Sequence, residues 1–410
     1  MNNQEAVDWL FSLQKSGVKL GLENMLRLCA AIGEPQRRLK FVHLAGTNGK
    51  GSCAAMIEAI LRHAGYKVGL YTSPHLVEFG ERIQVNRAPL TMRRVVEQVE
   101  FFKKIVAQLT VSGVEPTFFE VVTAMALREF DRQRVDIVVL ETGLGGRLDS
   151  TNIVTPECGV ITGIGLDHMD YLGGTLTLIA AEKAAIIKRG RPVVIGDMAE
   201  EARRVIVSVA QEQGSAMYFS EQPLPLTVRL GLVGEYQRRN AALVLRVCDA
   251  LGVSGWEIPE NARLAGLAAA EWPGRFQIIS RQPLVILDGA HNPQGLAAAW
   301  SAWRELNGSE PPRVIFGCLK DKDARALAMS LDHPGIEVWL APIEAARGES
   351  PSRLAELFHR AQTRIFHNAT DALTLAMNGE MPTLIVGSLY LAGQILAALR
   401  GRAHQAALNG

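Results

Sequence analysis

The chain reads as an α/β protein of two domains, each built on a mainly parallel sheet. Three observations carry that expectation. Short apolar runs alternate with helical patterns along nearly the whole sequence, the rhythm of βαβ units. The rhythm breaks at "EWPG", where Pro273 and Gly274 end any helix from the left, and then starts again. A length of 410 residues also exceeds the size at which one hydrophobic core keeps growing. The expected division is a larger domain over residues 1–274 and a smaller one over 275–410.

The elements follow in order. "LKFVHLAG" is a buried strand and "KGSCAAMIEAILRHAG" a helix, with Ile57, Ile60, Leu61 and Ala64 on one face and Gly65 as its stop. Strands follow at "YKVGLYTS", "VDIVVLE", "CGVITGI" and "RPVVIGD", with helical stretches between most of them. From about Gly190 to Ala270 the pattern is less regular, and antiparallel strands are expected there beside helices. Past the boundary, "WPGRFQIISRQPLVILDGAHNP" opens the second rhythm, and "RVIFGC", "EVWLAP", "TRIFH" and "TLIVGS" continue it as strands.

Composition narrows the function. Hydrophobic residues make up 48% and charged residues 21%, which suits a globular chain with a large core. The 43 basic and 42 acidic residues leave a net charge of +1, so no overall field favours nucleic acid or a membrane surface. Five widely spaced cysteines with no CxxC pair suit a reducing compartment, not a disulfide framework or a structural zinc site. "MNNQEAVDWLF" lacks the basic start and apolar run of a secretory signal. No apolar stretch reaches the roughly 18 residues that a membrane span needs. The expectation is a cytoplasmic, monomeric protein that handles small molecules.

"HLAGTNGKGS" places a glycine-rich turn between a strand and a helix. That arrangement points free backbone N–H groups and a helix N-terminus at an anion. Gly46, Gly49 and Gly51 let the backbone approach phosphate oxygens, Lys50 supplies a point charge, and Ser52 a hydroxyl for Mg²⁺. The spacing departs from GxxxxGK[ST], because only three steps separate Gly46 from Gly49, and Gly51 intervenes between lysine and serine.

Three other residues lie just past strand ends, where ligands bind in open parallel sheets: Ser73, Glu141 and His168. A hydroxyl, a carboxylate and an imidazole make a partial shell for Mg²⁺. Ser73 also reads as a turn residue before Pro74, and His168 as a hydrogen-bonded structural histidine. Glu141 is harder to explain without a cation, since a carboxylate closing an apolar strand needs donors to offset its desolvation.

The motifs "AGTNGKGS", "YTSPHL", "ERIQVN", "LETGLGGRLDSTN", "GLDHMDYLG", "EKAAI", "PGRFQ", "DGAHNP", "DKD" and "GSLYLAG" occur in this order from residue 45 to 393. Together they resemble the folylpolyglutamate synthase/dihydrofolate synthase family, within the wider group of Mur-type ATP-dependent amide ligases. The resemblance spans essentially the whole chain and includes the short phosphate loop. It implies an N-terminal P-loop ATPase-like domain of the Mur central type, and a Rossmann-like C-terminal ligase domain that binds glutamate. The extra N-terminal domain of Mur ligases is not expected, because only about 40 residues precede the phosphate strand, against roughly 50 for a domain.

By the same resemblance, Thr47, Asn48, Gly49, Lys50, Gly51 and Ser52 hold the ATP phosphates. Asn240, Arg275 and Asp288 match ATP-binding positions, with His291 close by, and ATP is expected between the domains. Ser73, Glu141 and His168 match Mg²⁺ ligands, and Ser52 serves a metal beside the triphosphate, for two ions in all. Without the resemblance, Arg275 reads as half of a surface salt bridge. The pterin substrate is expected at Val18, Lys19 and Leu20, at Thr117 to Glu120, and at Leu148, Asp149 and Ser150. Phe118 and Phe119 offer a flat wall to a pteridine ring or, equally, ordinary core packing. Lys19 and "EKAA" depart from the family's usual acid and "EKAG".

Lys183 lies in "TLIAAEKAAIIKRG", a helix with Leu178, Ala181, Ala185 and Ile186 expected around it. Burial lowers a lysine's pKa, and a neutral amine captures CO₂. The resemblance implies a carbamylated Lys183; the residues alone allow a lysine on a solvated face. The implied reaction makes an acyl phosphate from a pterin carboxylate and ATP, which L-glutamate then attacks. Dihydropteroate, reduced folates or both are the open substrate choices. A P-loop phosphotransferase is the alternative from another class.

Overall fold

The computed structural model describes residues 1–16, 21–220, 222–402 and 404–405. Val18, Lys19 and Leu20 lie outside them. The chain separates into two compact units. The first comprises Met1–Pro74, Gly80–Gly231 and Arg238–Glu271; the second comprises His75–Phe79, Leu232–Gln237 and Trp272–Gly410.

The first unit holds strands β1 (Phe41–Ala45), β2 (Val68–Tyr71), β3 (Ile83–Val85), β4 (Ala88–Pro89), β5 (Ile137–Glu141), β6 (Cys158–Ile161), β7 (Val193–Ile195) and β8 (Met217–Phe219). They form one sheet in the order β4-β3-β2-β5-β1-β6-β7-β8. All neighbours from β2 to β8 pair parallel, and β3 and β4 run antiparallel at one edge. β1 is central and wholly buried, which is why its apolar run does not alternate. The helix Lys50–His63 that follows it is buried on every side from Gly51 to Leu61. The expected single face of Ile57, Ile60 and Leu61 is therefore only part of its contact. Its outer side takes the helix Glu260–Ala269, where Gly266 stands against the Ile60 backbone and leaves no room for a Cβ.

Two expectations are corrected here. Between Gly190 and Ala270 no antiparallel strand occurs among the described residues: β8 pairs parallel with β7, and the rest is the helices Glu200–Glu212, Glu235–Val253 and Glu260–Ala269. The antiparallel strands of this unit lie instead in "RIQVNRAP", where Asn86 and Arg87 both take left-handed φ (50° and 66°) and close a two-residue hairpin. Lys183 is buried, and so is the expected Ile186, but Leu178 and Ala181 are exposed. Leu178 is 52% exposed, and the helix Leu176–Ala184 buries Ile179, Ala180 and Ala184 beside the lysine.

The second unit holds β9 (Gln277–Arg281), β10 (Leu284–Leu287), β11 (Arg313–Phe316), β12 (Glu337–Leu340), β13 (Gln362–Ile365) and β14 (Thr383–Val386). The order is β13-β12-β11-β14-β10-β9, with only β9 antiparallel. Helices cover both faces, and the strands sort their side chains by alternation. Val285 and Leu287 join one core with the helix Leu389–Leu399, while Ile286 faces the other with the helix Pro293–Asn307. No helix among the described residues is long and apolar enough to cross a membrane.

Candidate active site

The four parallel strands β2, β5, β1 and β6 all end at the same edge of the first sheet, so the segments that follow them converge there. After β1 the chain makes the turn Gly46–Gly49 and enters the helix at Lys50. This turn is tied to the exit of β6. Thr47 N–H donates to Gly163 O (2.7 Å), and the Thr47 hydroxyl lies 3.0 Å from both Gly165 N and Gly165 O. Thr162 Oγ1 donates to Asn48 O (2.6 Å). Gly46 is required by the same closeness, since a Cβ there would overlap Thr162 Oγ1. Gly49 has φ +87°, and a Cβ would lie 2.9 Å from Asn240 Oδ1. Asn240, on the helix Glu235–Val253, thus stands directly against the loop. Gly51 needs no such freedom; it lies in the first helical turn, and Ser52 is buried next to it.

The Gly49 N-cap supplies no side-chain acceptor, so the first amides of the helix are not consumed by a cap. Lys50 Nζ donates to Gly46 O (2.9 Å) and Thr47 O (3.3 Å), folding its charge over the loop. Lys50 also acts electrostatically on Lys183. Burial is the main cause that brings the Lys183 amine down to about 7; the like charge of Lys50 adds to it, and Asp167, Asp149 and Glu182 oppose it.

Glu141 closes β5 with its side chain buried, and its Oε2 accepts the Ser73 N–H (3.2 Å). These two are brought together. His168 follows β6 in a left-handed conformation (φ 52°) and caps the short helix Met169–Leu172; its side chain is 42% exposed, with Nε2 3.9 Å from Asp167 Oδ1. Among the described residues no group of three or more histidine, cysteine, aspartate or glutamate side chains makes a ready metal cluster.

The segment Thr117–Glu120 has a structural task of its own. Thr117 and Glu120 form a capping box at the start of the helix Phe118–Gln133. Phe118 is buried against Phe11 (centroids 5.5 Å apart) and under Arg82. Phe119 is only half-buried, 6.0 Å from Tyr71, and its ring touches Gly143 closely enough to exclude a Cβ. Of the two phenylalanines, only Phe119 sits among the strand-end segments. Leu148 is half-buried, Ser150 buried, and the buried Asp149 carboxylate accepts from the amides of Gly143, Leu144 and Thr151.

In the second unit, Arg275, Asp288 and His291 are neighbours. Asp288 accepts from the amides of Phe276 and Ala290 (both 2.7 Å) and from Tyr236 Oη (3.4 Å). Burial pushes its carboxyl up, and Arg275 pulls the other way. His291 Nδ1 lies 2.8 Å from Gly289 O, so it is the protonated nitrogen. Sequence reasoning missed Tyr236, and it missed Thr162, Gly163 and Gly165 as the loop's anchors. The available signal for the last three was their place just past β6.

Residues 44–248 match the Mur ligase middle domain, and residues 274–388 the Mur ligase glutamate ligase domain. The folylpolyglutamate synthase of Lacticaseibacillus casei is 35% identical, over 98% of this chain and 99% of its own. The dihydrofolate synthase/folylpolyglutamate synthase of Bacillus subtilis is also 35% identical, over 97% of this chain and 99% of its own. The structure of Escherichia coli FolC in complex with DHPP and ADP superposes with a TM-score of 0.84 at 32% identity, covering 97% of this chain and 98% of that one. Its two domains, its short phosphate loop and these likenesses over nearly full length agree: the chain belongs to the folylpolyglutamate synthase/dihydrofolate synthase family of Mur-type ligases.

Proposed function

We propose that this protein is an ATP-dependent amide ligase that adds L-glutamate to dihydropteroate and to the γ-carboxylate of reduced folates, releasing ADP and phosphate. The observation that carries the reading is the short phosphate loop, held open toward the strand-end edge by its bonds to Thr162, Gly163 and Gly165, beside the paired Ser73 and Glu141. The protein is proposed to work as a cytoplasmic monomer.

A carboxylate resists attack because resonance and charge both oppose a nucleophile. Phosphorylation by ATP makes it an acyl phosphate; the glutamate amine then attacks, and phosphate leaves from the tetrahedral intermediate. In this scheme Thr47 to Ser52 and Asn240 bind the phosphates, and Lys50 neutralises charge that develops on the transferring group. Arg275, Asp288 and His291 are proposed ATP contacts. Thr117, Phe118, Phe119, Glu120, Leu148, Asp149 and Ser150 are proposed to frame the pterin, with Phe119 as the stacking face. Val18, Lys19 and Leu20 are assigned there by resemblance alone.

Hydroxyl and carboxylate oxygens suit Mg²⁺, so Ser73 and Glu141 are proposed to hold one ion, with His168 assigned to it by resemblance, and Ser52 to hold a second. When bound, Mg²⁺ neutralises phosphate charge. Glu141→Gln keeps the Ser73 N–H acceptor but removes the charge. It is expected to raise the Mg²⁺ concentration for half-maximal rate by at least about tenfold, a loss of the size seen when metal shells are altered. His168→Ala is expected to shift it in the same direction. Metal titrations that overlay wild type would refute the shared site.

The test of the whole reading is ADP release over a panel of pteroates and folates. Release should require both L-glutamate and a pterin. Release that ignores glutamate would favour a phosphotransferase, and release with reduced folate alone would leave only the folylpolyglutamate activity.

A further inference from the structure

We propose that His43 is a positioning residue that acts, through Thr151 and Asp149, on the turn that follows Glu141. The inference rests on the functional reading above, in which Phe119, whose ring lies against this turn at Gly143, and Leu148–Ser150 meet the pterin substrate. His43 stands in the middle of β1, fully buried, three residues before the phosphate loop begins. Nothing in phosphate binding calls for an imidazole there.

The hydrogen bonds give it a direction. His43 Nε2 lies 2.8 Å from Thr151 Oγ1, and Thr151 Oγ1 lies 2.5 Å from Asp149 Oδ1. Burial pushes the Asp149 carboxyl up, but backbone N–H groups donate to both of its oxygens, so it accepts throughout and the single hydroxyl proton of Thr151 goes to it. Thr151 Oγ1 must then accept from His43, which fixes the Nε2–H tautomer. Nδ1 remains a buried lone pair without a hydrogen-bond partner. The reverse tautomer would bury an unpaired N–H and turn the Thr151 hydroxyl away from Asp149, which costs more than an unused acceptor. Burial, helped by the charge of Lys188, lowers the imidazole to about 3, so the ring donates as a neutral group.

Asp149 is the hub of this relay. A carboxylate has about four acceptor positions. Oδ1 takes the Thr151 hydroxyl and the Thr151 N–H (3.0 Å); Oδ2 takes the N–H groups of Gly143 (2.9 Å) and Leu144 (2.8 Å). With all four occupied, Asp149 shapes the loop, and the substrate meets the backbone that Asp149 arranges. Gly143 is also the residue that lies on the Phe119 ring. The relay thus links a central strand to the surface on which a pterin would stack.

His43→Leu removes the donor at similar volume, and His43→Gln restores an N–H near the Nε2 position. In the ADP-release assay on the full chain, His43→Leu should raise KM for the pterin substrate about tenfold, the effect of one lost buried hydrogen bond. Both kcat and KM for ATP should stay within about twofold, because the phosphate loop is anchored to β6's exit instead. His43→Gln should recover most of the loss. Thr151→Val should match His43→Leu, and the double variant should be no worse than Thr151→Val alone. An unchanged pterin KM, equal losses for Leu and Gln, or additive effects would overturn the relay. Nitrogen-15 NMR of the wild-type imidazole, assigned by its disappearance in His43→Gln, needs no turnover. A protonated Nε2 with a bare Nδ1 supports the relay; the reverse tautomer or an imidazolium overturns it. If the wild type shows no pterin-dependent turnover, the functional reading falls, and the tautomer still decides the relay.

Discussion

Lys50→Ala is expected to lower turnover by roughly two to three orders of magnitude, the range for removing one preorganised group that stabilises transition-state charge. The folded structure should hardly notice. Among the described residues the Lys50 ammonium donates only to carbonyls of its own turn, Gly46 O and Thr47 O, and joins no ion pair. The turn keeps its shape through Thr47, Thr162 and Gly165, none of which involves the lysine. Thermal unfolding should therefore move by no more than a few degrees, while pre-steady-state acyl phosphate formation collapses. Relief of the like charge should also let the Lys183 amine titrate higher in the variant, since Lys50 is one of the causes that lower it. Near wild-type turnover in Lys50→Ala would dismiss the phosphate-loop assignment.

Much of this was legible because its causes are local. A buried parallel strand must be an unbroken apolar run, and a glycine turn before a helix is visible in the letters, so β1, the loop and its helix could be placed from sequence. Glu141 could be singled out because a carboxylate at the end of "DIVVL" needs a reason. What remained hidden depends on tertiary pairing. The hairpin at Asn86-Arg87 has no glycine to announce its left-handed turn. The face of the helix Leu176–Ala184 was misjudged because its sequence is apolar on nearly all sides; packing decides which side is covered. Nothing in "FVHLA" distinguishes His43 from a misplaced polar residue until Thr151, 108 positions away, is seen beside it.

Lys183→Ala is expected to lose most activity, about a hundredfold or more, and a short carboxylate such as acetate should restore part of it. The reason begins with burial. Lys183 is 5% exposed, at the end of a helix whose Glu182 carbonyl accepts the Arg147 N–H (2.8 Å). An amine at about 7 is half neutral at neutral pH, and the neutral form adds to CO₂: an N–C bond forms as one C=O π bond opens, one N–H proton goes to solvent, and the neutral amine becomes an anion with two acceptor oxygens. That change turns the repulsion from Lys50 into attraction. It also puts an oxygen donor near Asp167, in a site whose described residues alone make no three-ligand metal cluster. We therefore propose that Lys183 is carbamylated and that the carbamate helps to hold Mg²⁺. Acidification below about 7 favours the ammonium, so activity should decline on that side and recover slowly when bicarbonate is returned at higher pH. Carbon-13 bicarbonate should give a carbamate resonance in the wild type and none in Lys183→Ala. A fully active Lys183→Ala, or an active wild-type enzyme without that resonance, would rule the carbamate out.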